Sequence, residues 1–307
     1  MVTQLHSPAT KTGSLIQSNV SLARFTSFRV GGPAEWYAAP KTLDDLYECF
    51  EWADRNSVPV TLLGAGSNLL ISDRGISGLT IGTRYLRRIQ IDRENARITA
   101  GAGVSMAALA WKAAYLGWGG LEWSVGIPGS IGGSIVMNAG AHGSEIRDVL
   151  LQATVLAPQT GQIQHRSAVD LGYSYRTSSL QGDSQLVTEA TFQLQPGHDS
   201  QALQAQTREH LERRHATQPY HLPSCGSVFR NPEPRKAGWL IEQSGLKGHR
   251  IGGAEVAQMH ANFILNRDNA TATDIFNLID CVRNEVYSRW DVLLEPEVRM
   301  LGPFCAV

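Results

Sequence analysis

Two glycine-rich segments have the composition to hold a phosphate group. The first, Gly64-Ala65-Gly66-Ser67-Asn68, follows a run of β-branched and aliphatic residues. Glycines let the main chain pass close to a ligand with its N–H groups exposed, which suits phosphate oxygens. Leu69 stands where a Rossmann motif has its third glycine, and Leu70-Ile71-Ser72 predicts a strand instead of a helix, so an ordinary Rossmann site is disfavoured. For this segment alone, a tight turn between two strands is an equally good interpretation.

The second segment, residues 126–134, contains four glycines and Pro128. Close packing of a helix against a sheet is the alternative interpretation, but two such segments in one chain favour a large diphosphate cofactor. Neither segment has the lysine of a P-loop, which disfavours a nucleotide triphosphatase. The candidate cofactor contacts are Gly64, Ala65, Gly66, Ser67, Asn68, Leu69, Gly129, Ser130, Ile131, Gly132 and Gly133.

Cysteines and histidines give no sign of a metal site. His210 and His215 do not have the one-turn spacing of a zinc-protease helix, and we expect no catalytic metal. The cysteines are scattered and include no Cys-x-x-Cys pair, so we expect them to be reduced. They are Cys49, Cys225, Cys281 and Cys305.

The overall charge excludes some classes of partner. With 27 basic and 28 acidic side chains the formal net charge is -1, which argues against a broad nucleic-acid-binding surface. No apolar run approaches the roughly 20 residues of a membrane span, and the N-terminus lacks the apolar core of a secretory signal. We therefore expect a cytoplasmic protein that binds neither nucleic acid nor membrane, and we expect a monomer.

The pattern of apolar residues predicts helices and strands in alternation, and the length of 307 residues suits two or three domains. Residues 1–20 have no sustained period and predict a variable tail. A capping pair, Thr42 and Asp45, begins an amphipathic helix. The other predicted helices cover 106–115, 201–214 and 271–290. The predicted strands cover 58–63, 88–99, 150–156 and 293–301, the last broken by Pro296.

Several motifs in fixed order resemble the family of UDP-N-acetylenolpyruvoylglucosamine reductases, from about Thr26 to Gly302. Besides the two glycine segments, the chain carries Thr-Ser-Phe-Arg-Val-Gly-Gly-Pro-Ala at 26–34. Three later motifs are more diagnostic than the glycines, which alone indicate only the wider flavin-binding fold. They are Tyr-Ser-Tyr-Arg-Thr-Ser at 173–178, Gly-Ser-Val-Phe-Arg-Asn-Pro at 226–232 and Leu-Glu-Pro-Glu-Val-Arg at 294–299.

The resemblance implies an α+β fold with a two-lobed FAD-binding region of the vanillyl-alcohol-oxidase/p-cresol-methylhydroxylase type and a C-terminal α+β substrate domain. The implied divisions are lobe 1 at 21–88, lobe 2 at 89–200 and the C-terminal domain at 201–307. The chain is similar to the shorter form of the family, which lacks an inserted tyrosine-bearing loop.

The resemblance also implies a reaction in peptidoglycan precursor synthesis. NADPH reduces non-covalently bound FAD, and the enolpyruvyl sugar then accepts the hydride at C3 and a proton at C2, giving UDP-N-acetylmuramate. The alternative is an FAD-dependent oxidase of the same fold that acts on an alcohol or sugar lactone. An oxidase explains the glycine segments equally well but leaves the three later motifs unexplained.

Matching residues carry the implied roles. Arg176 matches the arginine that faces the substrate carboxylate, for which a guanidinium fork is well suited. Ser227 matches the proton donor, and Glu297 matches a charge-tuning or proton-relay partner. Strand alternation places Glu295 on the same face as Glu297 unless Pro296 or a bulge breaks the pleat, so periodicity cannot choose between them.

Two further residues are candidate substrate contacts. Asn231 matches a substrate-contacting asparagine, and Tyr175 is a weaker candidate for the same role. Cys225 lies two residues before Ser227, and we assign it no role.

Overall fold

The computed structural model describes residues 15–182 and 185–304. Most of the predicted N-terminal tail and Cys305 lie outside the described residues. No described helix is both long enough and apolar enough to cross a membrane. Among the described residues, no group of three or more His, Cys, Asp or Glu side chains is placed to hold a metal ion.

The first part of the chain forms a four-stranded sheet with strand order β1-β2-β5-β3. Strand β1 runs antiparallel to β2, whereas β2, β5 and β3 run parallel. The predicted Thr42–Asp45 capping box begins α1, whose Leu46 and Phe50 pack in one apolar cluster with strand β5. The elements are β1 (Ile16–Ser21), β2 (Pro33–Ala38), α1 (Leu43–Arg55), β3 (Val60–Leu63), β4 (Leu69–Ile71) and β5 (Ile76–Gly82).

The second part forms a five-stranded antiparallel sheet with strand order β11-β10-β12-β7-β6. Helices α2 and α3 contribute Leu109 and Ile135 to the core that covers this sheet. The elements are β6 (Ile89–Asp92), β7 (Arg97–Gly101), α2 (Met106–Tyr115), α3 (Ile131–Met137), β8 (Gly140–Ala141), β9 (Ser144–Glu145), β10 (Leu150–Ala157), β11 (Gln162–Arg166) and β12 (Leu186–Gln193).

The single strand predicted at 88–99 is wrong, because this segment is a hairpin of β6 and β7. Asp92 accepts hydrogen bonds from the backbone N–H and the side-chain amide of Asn95, at 3.1 and 2.8 Å. Ala96 has a positive φ of 52°. A short polar turn of this kind reverses the chain without interrupting the β-rich composition on either side.

The C-terminal part packs helix α6 against a three-stranded sheet of order β13-β14-β15. Its elements are α4 (Ser200–Thr217), α5 (Ala237–Gln243), β13 (Arg250–Ile251), β14 (Ala254–Val256), β15 (Ile264–Asn266), α6 (Ala272–Trp290) and β16 (Arg299–Leu301). The strand predicted at 293–301 is shorter than expected. Only its last three residues form a ladder with β4, whereas Pro296 forms an isolated bridge with Phe229.

The C-terminal part is joined to the first sheet region through β16, which pairs in parallel with β4, and Arg299 stands opposite Leu69. Phe28 and Leu70 from the first part are fully buried in the same apolar cluster as α6. Helix α4 packs instead on α2 of the second part. The loop between β3 and β4, which carries the first glycine segment, therefore leads directly into the contact with the C-terminal part.

Candidate active site

A cavity of about 1090 Å³ brings the predicted site residues together. Both glycine segments line it, as do Tyr175, Arg176, Ser227, Asn231 and Glu297. Ligand sites commonly enclose roughly 300–1000 Å³, so this cavity has room for a large cofactor together with part of a second ligand. Of the predicted site residues, only Ile131 is not part of the cavity lining.

The first glycine segment is held against the residues before β2. Gly66 has a φ of 65°, and a Cβ added there would lie 2.0 Å from the carbonyl oxygen of Phe25. The carbonyl of Gly66 accepts a hydrogen bond from the backbone N–H of Ser27 at 3.1 Å. Gly66 is therefore required by the path of the main chain itself. At Gly64 an added Cβ would meet only the Ser130 hydroxyl, at 3.0 Å, with no backbone clash.

The second glycine segment begins α3. The N–H groups of Ile131 and Gly132 donate to the carbonyls of Val104 and Ala102 at 2.8 and 3.0 Å, so they are not free for a ligand. The Ile131 side chain is fully buried in the core of the second part. The Ser130 hydroxyl is buried and has no hydrogen-bond partner among the described residues. An unsatisfied hydroxyl in the cavity wall fits a site built for a polar ligand group.

Asn68 connects the first glycine segment to Glu297. Its side-chain amide donates to the Glu297 carbonyl at 3.0 Å, and its own carbonyl accepts from the Arg299 N–H at 3.0 Å. The glycine segment and the C-terminal motif are therefore fixed to each other. Asn68 lines the cavity, but its amide is also used to position Glu297.

Arg176 lies at a tight turn with a φ of 55°, a conformation that L-residues rarely adopt. Its Nε donates to Oε1 of Glu297 at 3.1 Å, and its Nη2 donates to the Gly140 carbonyl at 2.7 Å. Only 20% of its side chain is exposed. Its carbonyl accepts from Nε2 of Gln181 at 2.8 Å, and the same Nε2 lies 3.2 Å from the Val136 carbonyl. These contacts hold one guanidinium in one place on the cavity wall.

Glu297 and Glu295, which periodicity could not separate, lie in different environments. The side chain of Glu297 is 16% exposed and lines the cavity, whereas that of Glu295 is 75% exposed. The segments on both sides of Pro296 are hydrogen-bonded to residues 228–230. The Arg230 N–H donates to the Glu295 carbonyl at 2.9 Å, and the Glu297 N–H donates to the Val228 carbonyl at 2.7 Å. Burial raises the pKa of Glu297, and the nearby guanidinium of Arg176 opposes this rise.

Ser227 lines the cavity and comes immediately before Val228, whose carbonyl accepts the hydrogen bond from the Glu297 N–H. Asn262 is 3% exposed and fixes the following residues: its side chain accepts from the Phe229 N–H at 2.9 Å and donates to the Phe229 carbonyl at 2.8 Å. Its backbone carbonyl accepts from the Val228 N–H at 2.8 Å. Ser227 thereby lies on the wall of the cavity that Arg176 and Glu297 also line.

The two predicted substrate contacts are exposed residues of the cavity lining. Tyr175 is 50% exposed, and the Arg176 guanidinium carbon lies 4.9 Å from its ring centroid. Asn231 is exposed, and its side-chain oxygen accepts from the Ala237 N–H at the start of α5, at 3.1 Å. Its oxygen is therefore engaged in positioning α5.

Four residues around the site were not singled out from the sequence. Arg299 and Lys236 line the cavity. Arg299 could have been found, because it lies two residues beyond Glu297 in the same motif. Gln181 and Asn262 act through contacts to residues distant in sequence or to backbone, and no local pattern marks them.

Cys225 lies in the same wall and is only 5% exposed. Burial, and to a smaller extent the charge of Glu297, raises the pKa of its thiol well above the usual 9.0. Since the thiolate is the reactive form, Cys225 is a poorly reactive thiol at neutral pH.

Comparison with known families agrees with this geometry. The model described as "FAD binding domain" matches residues 34–167, and the model for the C-terminal domain of UDP-N-acetylenolpyruvoylglucosamine reductase matches residues 218–301. The chain thus combines an FAD-binding domain with a reductase C-terminal domain, as predicted. Arg176 lies between the two matched segments.

Individual relatives extend the match over nearly the whole chain. A UDP-N-acetylenolpyruvoylglucosamine reductase of Trichormus variabilis is 57% identical over 295 residues, covering 96% of this chain and 89% of the relative. One of Synechocystis sp. is 54% identical, covering 95% and 93%. The crystal structure of the reductase (MurB) from Thermus caldophilus has a TM-score of 0.80 at 30% identity, covering 94% and 99%. This chain belongs to the UDP-N-acetylenolpyruvoylglucosamine reductase family.

Proposed function

We propose that this protein uses NADPH to reduce UDP-N-acetylenolpyruvoylglucosamine to UDP-N-acetylmuramate through bound FAD, in peptidoglycan precursor synthesis. The observation that carries the proposal is the Arg176–Glu297 ion pair, in a cavity that Ser227 and both glycine segments also line. Membership of the reductase family and the reductase names of its relatives support the same activity.

The two glycine segments are the proposed contacts for non-covalent FAD. Small residues leave the cavity wall open at Gly64 and Gly133, and the Ser130 hydroxyl is available to donate to a phosphate oxygen. Residues 64–69 contain no histidine that could form a covalent flavin link. When bound, FAD would accept a hydride from NADPH and donate one to C3 of the enolpyruvyl group.

Arg176 is the proposed partner of the substrate carboxylate. Its contacts to Glu297 and Gly140 use only part of the donor set of a guanidinium, which leaves N–H groups for a ligand. Negative charge grows on the carboxylate and C2 as the hydride arrives at C3. A cation held in place by protein contacts stabilises that charge without having to reorganise.

Ser227 is the proposed proton donor to C2, and Glu297 supports it. A serine hydroxyl is a weak acid, so a neighbour must stabilise or replace the proton that it gives up. Glu297 suits this role because its raised pKa favours the protonated form more than in an exposed carboxyl. Asn231 and Tyr175 are proposed contacts for the rest of the substrate.

The division of the chain at residues 20, 88 and 200, the monomeric state and the cytoplasmic location are also part of this proposal. The near-neutral net charge of -1 is consistent with a small-molecule enzyme that binds neither nucleic acid nor membrane.

The decisive experiment is anaerobic reduction of the purified flavoprotein with NADPH, followed by addition of the enolpyruvyl UDP-sugar. We expect the flavin absorbance to bleach and then to recover on addition of the sugar. An oxidase of the same fold would instead regain its colour with oxygen and be indifferent to the sugar. Failure of the sugar to restore the colour would refute the proposed function.

The cofactor assignment has its own test in Gly64→Val. This side chain would extend into the cavity beside Ser130 without a positive φ or a backbone clash. We expect a folded protein with little bound flavin. Gly238→Ala, in α5 where an added Cβ makes only ordinary contacts, is the matched control. Full flavin content in Gly64→Val would contradict the assignment. Gly66 is unsuitable, because any side chain there collides with the Phe25 backbone.

A further inference from the structure

A second cavity, of about 210 Å³, adjoins the glycine segments. It shares Gly64, Ala65 and Ser130 with the wall of the large cavity, but Tyr37 and Arg84 line the small one alone. Nothing in the proposed reaction uses this second space. Its lining nevertheless has an unusual concentration of positive charge.

Three arginines reach this small cavity, and its lining contains no aspartate or glutamate. The guanidinium carbons of Arg24 and Arg84 lie 4.8 and 4.7 Å from the ring centroid of Phe25, and Nε of Arg87 donates to the Arg84 carbonyl at 2.6 Å. Over residues 15–182 and 185–304, none of the three forms an ion pair with a carboxylate. Contacts with a ring and a carbonyl position these cations without neutralising them.

Two buried hydroxyls in the same wall lack hydrogen bonds. Tyr37 is 6% exposed and Ser130 5% exposed, and neither hydroxyl has a partner in the described part of the chain. Burial raises the pKa of Tyr37 despite the opposing charge of nearby Arg84, so its hydroxyl stays a proton donor at neutral pH. Arg84 can only donate towards the Tyr37 oxygen, which leaves the Tyr37 O–H itself without an acceptor among the described residues. Buried hydroxyls are normally satisfied, and since the Ser130 hydroxyl is the proposed donor to the cofactor, it is the Tyr37 hydroxyl that indicates a missing acceptor in the small cavity.

We propose that this small cavity binds inorganic phosphate, or an oxyanion of similar size and charge, while FAD occupies the large cavity. Guanidinium groups and hydroxyl donors around one space are the chemistry that recognises a tetrahedral oxyanion. Arg24 and Arg87 are exposed, so an anion can enter from solvent without passing through the large cavity.

The test is calorimetric titration of the FAD-loaded, full-length enzyme with inorganic phosphate, with sodium chloride added to keep the ionic strength constant. We expect saturable binding of one phosphate per chain. Arg84→Met and Tyr37→Phe should each weaken it by about tenfold or more, since each removes one strong donor. Tyr37→Phe removes a single oxygen and keeps the packing, so it remains informative if Arg84→Met folds poorly. Arg93→Met, on the exposed β6–β7 turn, is the control and should bind normally.

Three results would overturn the proposal. One is the absence of saturable phosphate binding to the FAD-loaded enzyme. Another is unchanged affinity in both Arg84→Met and Tyr37→Phe. The third is binding only to FAD-free enzyme with displacement by FAD, which would assign the oxyanion to the diphosphate of the cofactor. Phosphate binding to the loaded enzyme that both variants lose would establish the site.

Discussion

Replacing Glu297 with glutamine separates its proposed role in proton delivery from its role in packing. Glu297 is 16% exposed and accepts a hydrogen bond from Arg176 Nε at 3.1 Å. Glutamine keeps the size of the side chain and an oxygen that can accept this bond, but it removes the charge and the transferable proton. The expected defect is therefore confined to the step in which the sugar is protonated.

The size of the defect follows from the chemistry of a positioned acid. Losing one such group slows a reaction by about a hundredfold to ten-thousandfold, which corresponds to about 2.7–5.4 kcal/mol in the barrier. Affinity of the oxidised enzyme for the UDP-sugar should change little, because Arg176 still faces the substrate carboxylate. A loss of turnover with preserved affinity is the signature of an interaction made mainly in the transition state.

Glu295→Gln is the matched control, made two residues away in the same motif. Its carboxylate is 75% exposed and lies 3.9 Å from Arg230, a type of pair that contributes only about 0–1 kcal/mol. The assay reduces each variant with NADPH without oxygen, mixes it with the sugar and follows flavin reoxidation in one turnover. Reoxidation at the wild-type rate in Glu297→Gln, or an equal loss in Glu295→Gln, would refute the reasoning.

Three other results are expected. Ser227→Ala should slow reoxidation of the flavin by the sugar by about a hundredfold or more while leaving reduction of the flavin by NADPH nearly normal. An equal loss of rate in both half-reactions would contradict the role of Ser227 as proton donor. Gln181→Met cannot donate to the Arg176 carbonyl and should lower the rate of flavin reoxidation without changing the flavin content. Gln181→Lys keeps a donor and should recover part of that rate. Identical rates in the wild type and both variants would exclude a positioning role for Gln181. The pKa of Glu297 is raised above its usual 4.5. The free energy of unfolding of the wild type, relative to Glu297→Gln, should therefore increase as pH falls towards 4.5 and decrease as pH rises through the raised pKa. Urea unfolding that gives the same difference between the two proteins at every pH would contradict the raised pKa.

Local patterns predicted α1, α2, α4 and α6, because each is specified by residues close in sequence, but they did not predict the short helices α3 and α5. The capping boxes at Thr42 and Thr271 begin α1 and α6 at the expected places. The prediction at 88–99 failed because a turn made of Asp92 and Asn95 is too short to interrupt the strand-like composition around it. Side-chain hydrogen bonds within four residues can form a turn in a segment whose apolar pattern predicts one continuous strand.

The candidate site was accessible through motifs, but its geometry depends on contacts between distant parts of the chain. Alternation left Glu295 and Glu297 equivalent, and only the pairing of residues 228–230 with the segment around Pro296 directs them to different environments. The same is true of Asn262, whose side chain fixes Phe229 from 33 residues away. Such residues have no local signature, because their role is defined by what the fold brings beside them.

The position of the Arg176–Glu297 pair also explains why the site needs all three parts of the chain. Arg176 belongs to the second part, Glu297 belongs to the C-terminal part, and Asn68 of the first part donates to the Glu297 carbonyl. The carboxylate is buried at a place where its pKa is raised, so it is costly there without its guanidinium partner. Packing of the three parts and formation of the Arg176–Glu297 pair therefore stabilise each other, and a change that loosens Asn68 would act on the proposed chemistry without touching either charged group.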